Sequence, residues 1–470
     1  MAELWQLDAA DLARLIRHGK VSSRDATESA IARTKAVNPA INAVNRMLEA
    51  EALAAADAAD AAVKRGEALG PLHGVPVTTK ANVDQVGCPT DNGVPALRDA
   101  IAKEDSAVVA NMKRAGCVII GRTNTPAFSM RLISANDLHG RTLNPLDPAI
   151  SPGGSSGGAG AAIAAGIGAV AHGNDIGGSI RIPAYCCGVV GLRPTVGRIP
   201  AYSPSAAAAP RAMASQVMAV QGPIARSVRD LRLGLAAMGA SAGWRDPRWV
   251  DVPMEGPPPP RPIRVALMPQ VPGDHTDPAQ AEAVRTAGRH LAAAGYAVEE
   301  VTPPGFEAVI SMWHRIVVTE LEVTLRPKIE ELGGEAARES WGHWRALFPP
   351  TDLHGLILAY AERDLLLRQW LSFLEQYPLL VLPTLAHLPP AQDLDRTREG
   401  QVQVLDSIRA ALPAPALGLP GLSVPVGIAG RLRTGVQIMA SLFREDLCFD
   451  AAEAIEAQEG GPVAPVDPRG

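Results

Sequence analysis

Short apolar runs closed by glycine, proline or a polar residue constrain this chain most. Val75–Thr78, Cys117–Ile120 and Ile167–Ala171 lack the apolar–polar alternation of a half-solvated strand, so as strands they are buried on both faces. Between them lie the helical stretches Ser106–Ala115 and Gly158–Ala165. A strand buried on both faces needs cover on each. The alternation therefore predicts α/β organisation around a largely buried sheet.

The remainder extends this pattern. The first ~70 residues read as helical. Ser22 or Ser23 can cap a helix running through Ile31, and Glu51–Lys64 is alanine-rich. A proline-rich segment, Pro253–Pro262, is followed by strand Ile263–Met268, helix Pro278–Ala294 and strand Tyr296–Thr302. A helical region with several tryptophans spans Phe306–Gln376. Strands are expected again at Leu379–Pro383, Leu422–Gly427 and Thr434–Met439, with a closing helix from Glu445. Strand signals continue on both sides of the prolines, so one domain over residues 1–470 is expected. Its parts are a helical 1–70, a core 71–235, a variable 240–376 and a return to the sheet in 377–470.

Composition removes several function classes. Net charge is −5 and no Lys/Arg-rich run occurs, which argues against a nucleic-acid partner. No apolar run approaches the ~18–20 residues of a membrane span, and the N-terminus lacks a signal peptide's pattern. A cytoplasmic protein is expected. The five cysteines include no C-x-x-C pair, so neither a zinc site nor a disulfide framework is indicated. No metal and no cofactor are expected.

Three segments carry candidate chemistry. In Gly74-Val-Pro-Val-Thr-Thr-Lys80, the lysine ends a buried-looking strand. Such a lysine either reaches water along its aliphatic stem or, kept buried, loses its proton and becomes a base. In Ser151-Pro-Gly-Gly-Ser155-Ser156-Gly157-Gly158, a glycine-rich loop enters a helix. Gly153-x-Ser155-x-Gly157 matches a nucleophile elbow, but the preceding Pro145, Pro148 and Pro152 are incompatible with the strand such an elbow requires. In Gly173-Asn-Asp175-Ile176-Gly177-Gly178-Ser179, glycines let successive N–H groups converge on an oxyanion, or simply make a tight turn.

Together these segments resemble the amidase signature family of serine amidohydrolases. The resemblance extends through Gly121-Arg-Thr-Asn-Thr-Pro126, Gly188-Val-Val-Gly-Leu-Arg-Pro-Thr-Val-Gly-Arg198, Leu422-Ser-Val-Pro-Val-Gly427 and Gly435-Val-Gln-Ile438, nearly the whole chain. It implies the amidase signature fold, with a large central mixed β-sheet covered by helices on both faces. It also implies that Ser179 attacks a carboxamide, that Ser155 on a cis peptide relays its proton, and that a neutral Lys80 is the final base. The N–H groups of Ile176, Gly177, Gly178 and Ser179 would hold the oxyanion. Ser156, Asp175 and Arg181 would support the two loops. A small-molecule amide is the implied partner, and a homodimer the implied assembly.

Departures from the family text bear on the substrate. Ala81 and Ala127 stand where acidic residues are common, and Ile176 where threonine is frequent. Ser129, Met130, Arg131, Leu132 and Ile133 bring bulk to a stretch that is small in the glutamine-using amidotransferase members. This argues against free glutamine as ammonia donor and points to a largely apolar or aryl acyl pocket. Trp313, Trp341 and Trp344 are expected to add wall. Arg131 either binds a substrate carboxylate or is paired within the protein. Rival readings are an amidotransferase component that supplies ammonia to a partner, an esterase using Ser155 as an elbow nucleophile, a His172–Asp175–Ser179 triad, and a non-catalytic binding protein on the same fold.

Overall fold

The computed structural model describes residues 3–206, 210–239, 245–273 and 275–469. The boundary drawn at residue 240 lies outside them. Among the described residues thirteen strands form: β1 (Val44–Met47), β2 (Pro76–Lys80), β3 (Val118–Thr123), β4 (Ala135–Asn136), β5 (Gly140–Arg141), β6 (Val170–Asp175), β7 (Val190–Arg193), β8 (Val220–Ala225), β9 (Arg264–Leu267), β10 (Ala297–Glu300), β11 (Leu379–Pro383), β12 (Gly421–Ala429) and β13 (Leu432–Ala440). Eleven of them make one sheet in the order β1-β3-β2-β6-β8-β7-β12-β13-β11-β9-β10, and β4 pairs with β5 separately. The sheet is mixed. β2 runs parallel to β3 and β6, β9 runs parallel to β10 and β11, and the remaining pairs are antiparallel. The proline-rich segment lies between β8 and β9, which both belong to it.

Strand side chains alternate between two apolar layers. On β13, Val436, Ile438 and Ala440 face one layer and Met439 the other; on β11, Leu379 and Val381 oppose Leu380 and Leu382. Helices Ala9–Arg17, Ala107–Arg114, Val228–Gly239, Pro278–Ala293 and Glu445–Gln458 cover the first face. The second is covered by Ser23–Ile41 and Gly157–Ala164 at one end, and by Phe306–Thr324 and Leu353–Gln376 at the other. The expected region 306–376 is four helices, with Arg326–Leu332 and Gly334–Leu347 between these last two. Among the described residues no helix is long and apolar enough to cross a membrane.

Two expectations need correction. The N-terminal part is not purely helical, because Val44-Asn-Arg-Met47 pairs with β3. The strand placed at Tyr296–Thr302 is confined to Ala297–Glu300, the residues in register with β9.

Candidate active site

The site forms where β2 and β6, parallel neighbours, end beside the glycine-rich loop. Lys80 is the last residue of β2 and fully buried. Its Nζ lies 2.7 Å from Ser155 Oγ, 3.0 Å from Ser156 Oγ and 2.8 Å from Asn174 Oδ1. Burial pushes its pKa well below the usual lysine value, although the Asp175 carboxylate opposes the shift.

The partners also decide where the lone pair of a neutral lysine points. Asn174 Oδ1 can only accept. Ser156 Oγ donates to Asn174 O at 3.5 Å, so it too accepts from the amine. Two N–H bonds of a neutral amine are thus spent, and the lone pair faces the Ser155 hydroxyl.

Ser155 precedes helix Gly157–Ala164, and the Gly154–Ser155 peptide is cis. No strand runs directly into it, so Ser155 does not sit on a nucleophile elbow. The loop packs tightly. A Cβ on Gly154 would stand 2.6 Å from Arg131 O and Leu132 C, so glycine is needed for the approach. Ser134 Oγ ties the loop down, donating to Gly153 O (3.0 Å) and accepting from Gly157 N–H (3.1 Å).

Ser179 lies on the turn after β6, is 7% exposed, and shares a cavity of about 290 Å³ with Ser155. Among the described residues no hydrogen bond joins the two hydroxyls. Asp175 organises the turn. It accepts from Gly178 N–H (2.9 Å) and Ile180 N–H (3.2 Å), and from Arg181 Nε and Nη2 at 3.1 Å each. Arg193 Nη1 adds a bond to Asp175 O at 2.8 Å. Burial pushes the Asp175 carboxyl up, but the two guanidinium groups outweigh it and hold it at about 2. Of the four N–H groups expected to hold an oxyanion, that of Gly178 donates to Asp175. The N–H groups of Ile176, Gly177 and Ser179 have no acceptor among the described residues.

His172 is unsuited to a triad. Its Nδ1 accepts from Lys80 N–H (3.4 Å), and its Nε2 lies 2.7 Å from Gln221 Oε1. Burial depresses its pKa to about 3, so it is neutral, with the proton on Nε2.

The cavity wall is mostly apolar. Met130, Leu132, Ile176, Trp313, Val317 and Trp344 line it, as do Ser129 and Arg131. Trp313 and Trp344 stack at 5.8 Å, and Trp313 Nε1 donates to Ile176 O at 3.1 Å. Ile133 does not contribute. It is fully buried and lies off the wall that Met130, Arg131 and Leu132 line. Trp341 also misses the wall, because it packs into a separate cluster with Val318 and Ile329. Arg131 is paired: Nε donates to Asp395 Oδ2 (2.9 Å), and Nη2 to Asp395 Oδ1 (2.6 Å) and Asp393 Oδ1 (3.1 Å). With Arg141 also on Asp393, the cluster has two charges of each sign and so no net positive charge for a substrate carboxylate.

Sequence reasoning missed Asn174 and Asn82. Asn174 Nδ2 donates to Asn82 Oδ1 (2.9 Å), and Asn82 Nδ2 donates to Ser129 Oγ (3.0 Å), so one chain of hydrogen bonds runs from Lys80 to the cavity wall. Among the described residues, no three or more His, Cys, Asp or Glu side chains gather into a metal site.

Comparison with known proteins agrees with this geometry. A family profile described as Amidase matches residues 25–449. An indoleacetamide hydrolase of Bradyrhizobium diazoefficiens is 46% identical over 97% of this chain and 87% of its own. A 6-aminohexanoate-cyclic-dimer hydrolase of Paenarthrobacter ureafaciens is 32% identical over 97% of this chain and 95% of its own. A bacterial aryl acylamidase structure superposes with a TM-score of 0.82 at 26% identity, covering 97% of each chain. With its mixed sheet and buried lysine–serine cluster, the chain belongs to the amidase signature family and is a hydrolase of carboxamide C–N bonds.

Proposed function

We propose that the substrate is a neutral amide of an arylacetic acid, of the kind named for the indoleacetamide hydrolase relative, cleaved through an acyl-enzyme on Ser179. The observation that carries the proton path is the 2.7 Å contact between a buried, depressed-pKa lysine and Ser155 Oγ. Ser179 Oγ attacks the carbonyl carbon. Its proton passes to Ser155 Oγ as Ser155 gives its own to Lys80 Nζ. The Ile176, Gly177 and Ser179 N–H groups receive the oxyanion. When the C–N bond breaks, the proton returns along the same path to the leaving nitrogen, which departs as ammonia. Water, deprotonated by the same relay, then attacks the ester and releases the acid. The stacked Trp313–Trp344 pair and the charge-balanced Arg131 cluster favour a flat, uncharged acyl group.

Ser179→Ala should abolish labelling by a fluorophosphonate and lower kcat on indole-3-acetamide by at least about 10³-fold. Wild-type kcat in that variant would overturn the assignment. Two finer expectations belong to the same reading: a homodimer, tested by sedimentation, and a cytoplasmic location, tested by fractionation.

A further inference from the structure

One polar pair on the cavity wall has no part in the chemistry above. Ser340 and Gln401 are 6% and 4% exposed, and both line the cavity. Ser340 Oγ lies 3.2 Å from Gln401 Oε1. Gln401 Nε2 has no partner among the described residues. A ligand that fills the cavity and offers this group no partner strands it away from water, at the cost of a hydrogen bond.

Its position indicates which end of a ligand it meets. Gln401, Val404, Leu405 and Ile408 all line the cavity, and their spacing puts them on one face of helix Arg398–Ser407 and the turn after it. The far end of that face is anchored to the Ser179 turn, where Arg181 Nη1 donates to Ala411 O at 2.8 Å. Gln401 stands ten residues before this anchor, six of them in helix Arg398–Ser407 and four in the 3-10 turn Ile408–Ala411, on the order of 15 Å along the two. The wall between is supplied by Ile408, Leu405, Val404 and the Trp313–Trp344 stack.

We infer that the Ser340–Gln401 pair is a specificity device that reads a hydrogen-bonding group, a ring N–H or ring hydroxyl, on the distal edge of the aryl acyl group. This rests on the arylacetamide reading above. The pair serves both donors and acceptors. With the carboxamide as placed, Nε2 donates into the cavity. Turned by 180°, Oε1 accepts there, and the rotatable Ser340 hydroxyl accepts from Nε2 instead. An apolar wall cannot discriminate between isosteres of equal area, whereas a buried polar group rejects the analogue that leaves it unpaired.

The test compares kcat/KM for indole-3-acetamide with that for naphthalene-1-acetamide, which fills similar volume without the N–H. The wild type should favour the indole by about tenfold or more. Gln401→Leu should reduce that preference below about threefold by lowering the indole rate, with naphthalene turnover within about threefold of wild type. Gln401→Met is the second variant should leucine compromise folding, and the wild-type comparison needs no variant. Equal wild-type turnover of the two amides, or a loss in Gln401→Leu shared equally by both, overturns this inference and leaves the arylacetamide reading intact. Turnover of neither amide by the wild type overturns both.

Discussion

At the scale of single residues, the site turns on what lowers the Lys80 pKa and aims its amine. Burial disfavours the ammonium form, and Asn174 and Ser156 orient the nitrogen. The resemblance gave Lys80, Ser155 and Ser179 their roles, but nothing in Gly173-Asn-Asp175 marked Asn174. An asparagine beside glycine reads as a turn former, and its contact with a lysine ninety-four positions away exists only once β2 and β6 pair. The same contact makes a pH prediction. A base must be neutral, so activity is lost as pH falls through the Lys80 pKa. Asn174→Asp places an anion against Nζ, favours the ammonium form and raises that pKa. The acid limb of kcat/KM should move up by about 1–3 pH units, with activity recovering toward alkaline pH. An unmoved acid limb would mean that a different group titrates.

At the scale of elements, helix Gly157–Ala164 sets the serine loop by its closeness to the sheet. A Cβ on Gly158 would meet Asn124 N at 2.4 Å, Asn124 O at 2.6 Å and Ala43 O at 2.7 Å, all backbone atoms that cannot swing away. Gly158→Ala should therefore cost about 1–3 kcal/mol and shift Ser155 from Lys80, lowering both Tm and kcat. Gly342, exposed in helix Gly334–Leu347 with nothing within 4 Å of its Cβ position, is the contrast. Gly342→Ala should raise stability by about 0.4–1 kcal/mol in urea unfolding, with kcat unchanged. Elements were legible where apolar runs were unbroken, as in β2, β3 and β11. They were obscure where local chemistry contradicts the pairing. β8, Val-Gln-Gly-Pro-Ile-Ala, contains a Gly-Pro step that reads as a turn, yet it lies between β6 and β7 with Pro223 opposite His172. β1 is four residues long and follows a helix, and only its pairing with β3 makes it a strand.

At the scale of the whole molecule, the cavity is assembled from segments far apart in sequence, and this assembly was the least legible part. The tryptophans of 306–376 were marked as wall, but which of them faces Ser179 depends on helix rotation. Trp313 and Trp344 do, and Trp341 does not. Residues 393–408 were not recognised at all, because the contact that ties them to the site, Asp393 and Asp395 on Arg131, spans more than 260 positions of the chain. That partnership makes the final prediction. Arg131 and Asp395 are both almost fully buried, so removing the guanidinium leaves a carboxylate without water or a cation. Breaking such a pair costs about 3–5 kcal/mol, far more than an exposed ion pair is worth. Arg131→Met should therefore lower Tm sharply and loosen the wall that carries Gln401. Adding Asp395→Leu removes the stranded charge, while Asp393 keeps Arg141. The double variant should regain most of the lost stability, as a buried pair replaced by apolar groups usually does. A double-mutant cycle by urea unfolding measures this directly. Losses that simply add would show that Arg131 and Asp395 stabilise the molecule independently, and that the pair does not join the pocket wall to the serine core.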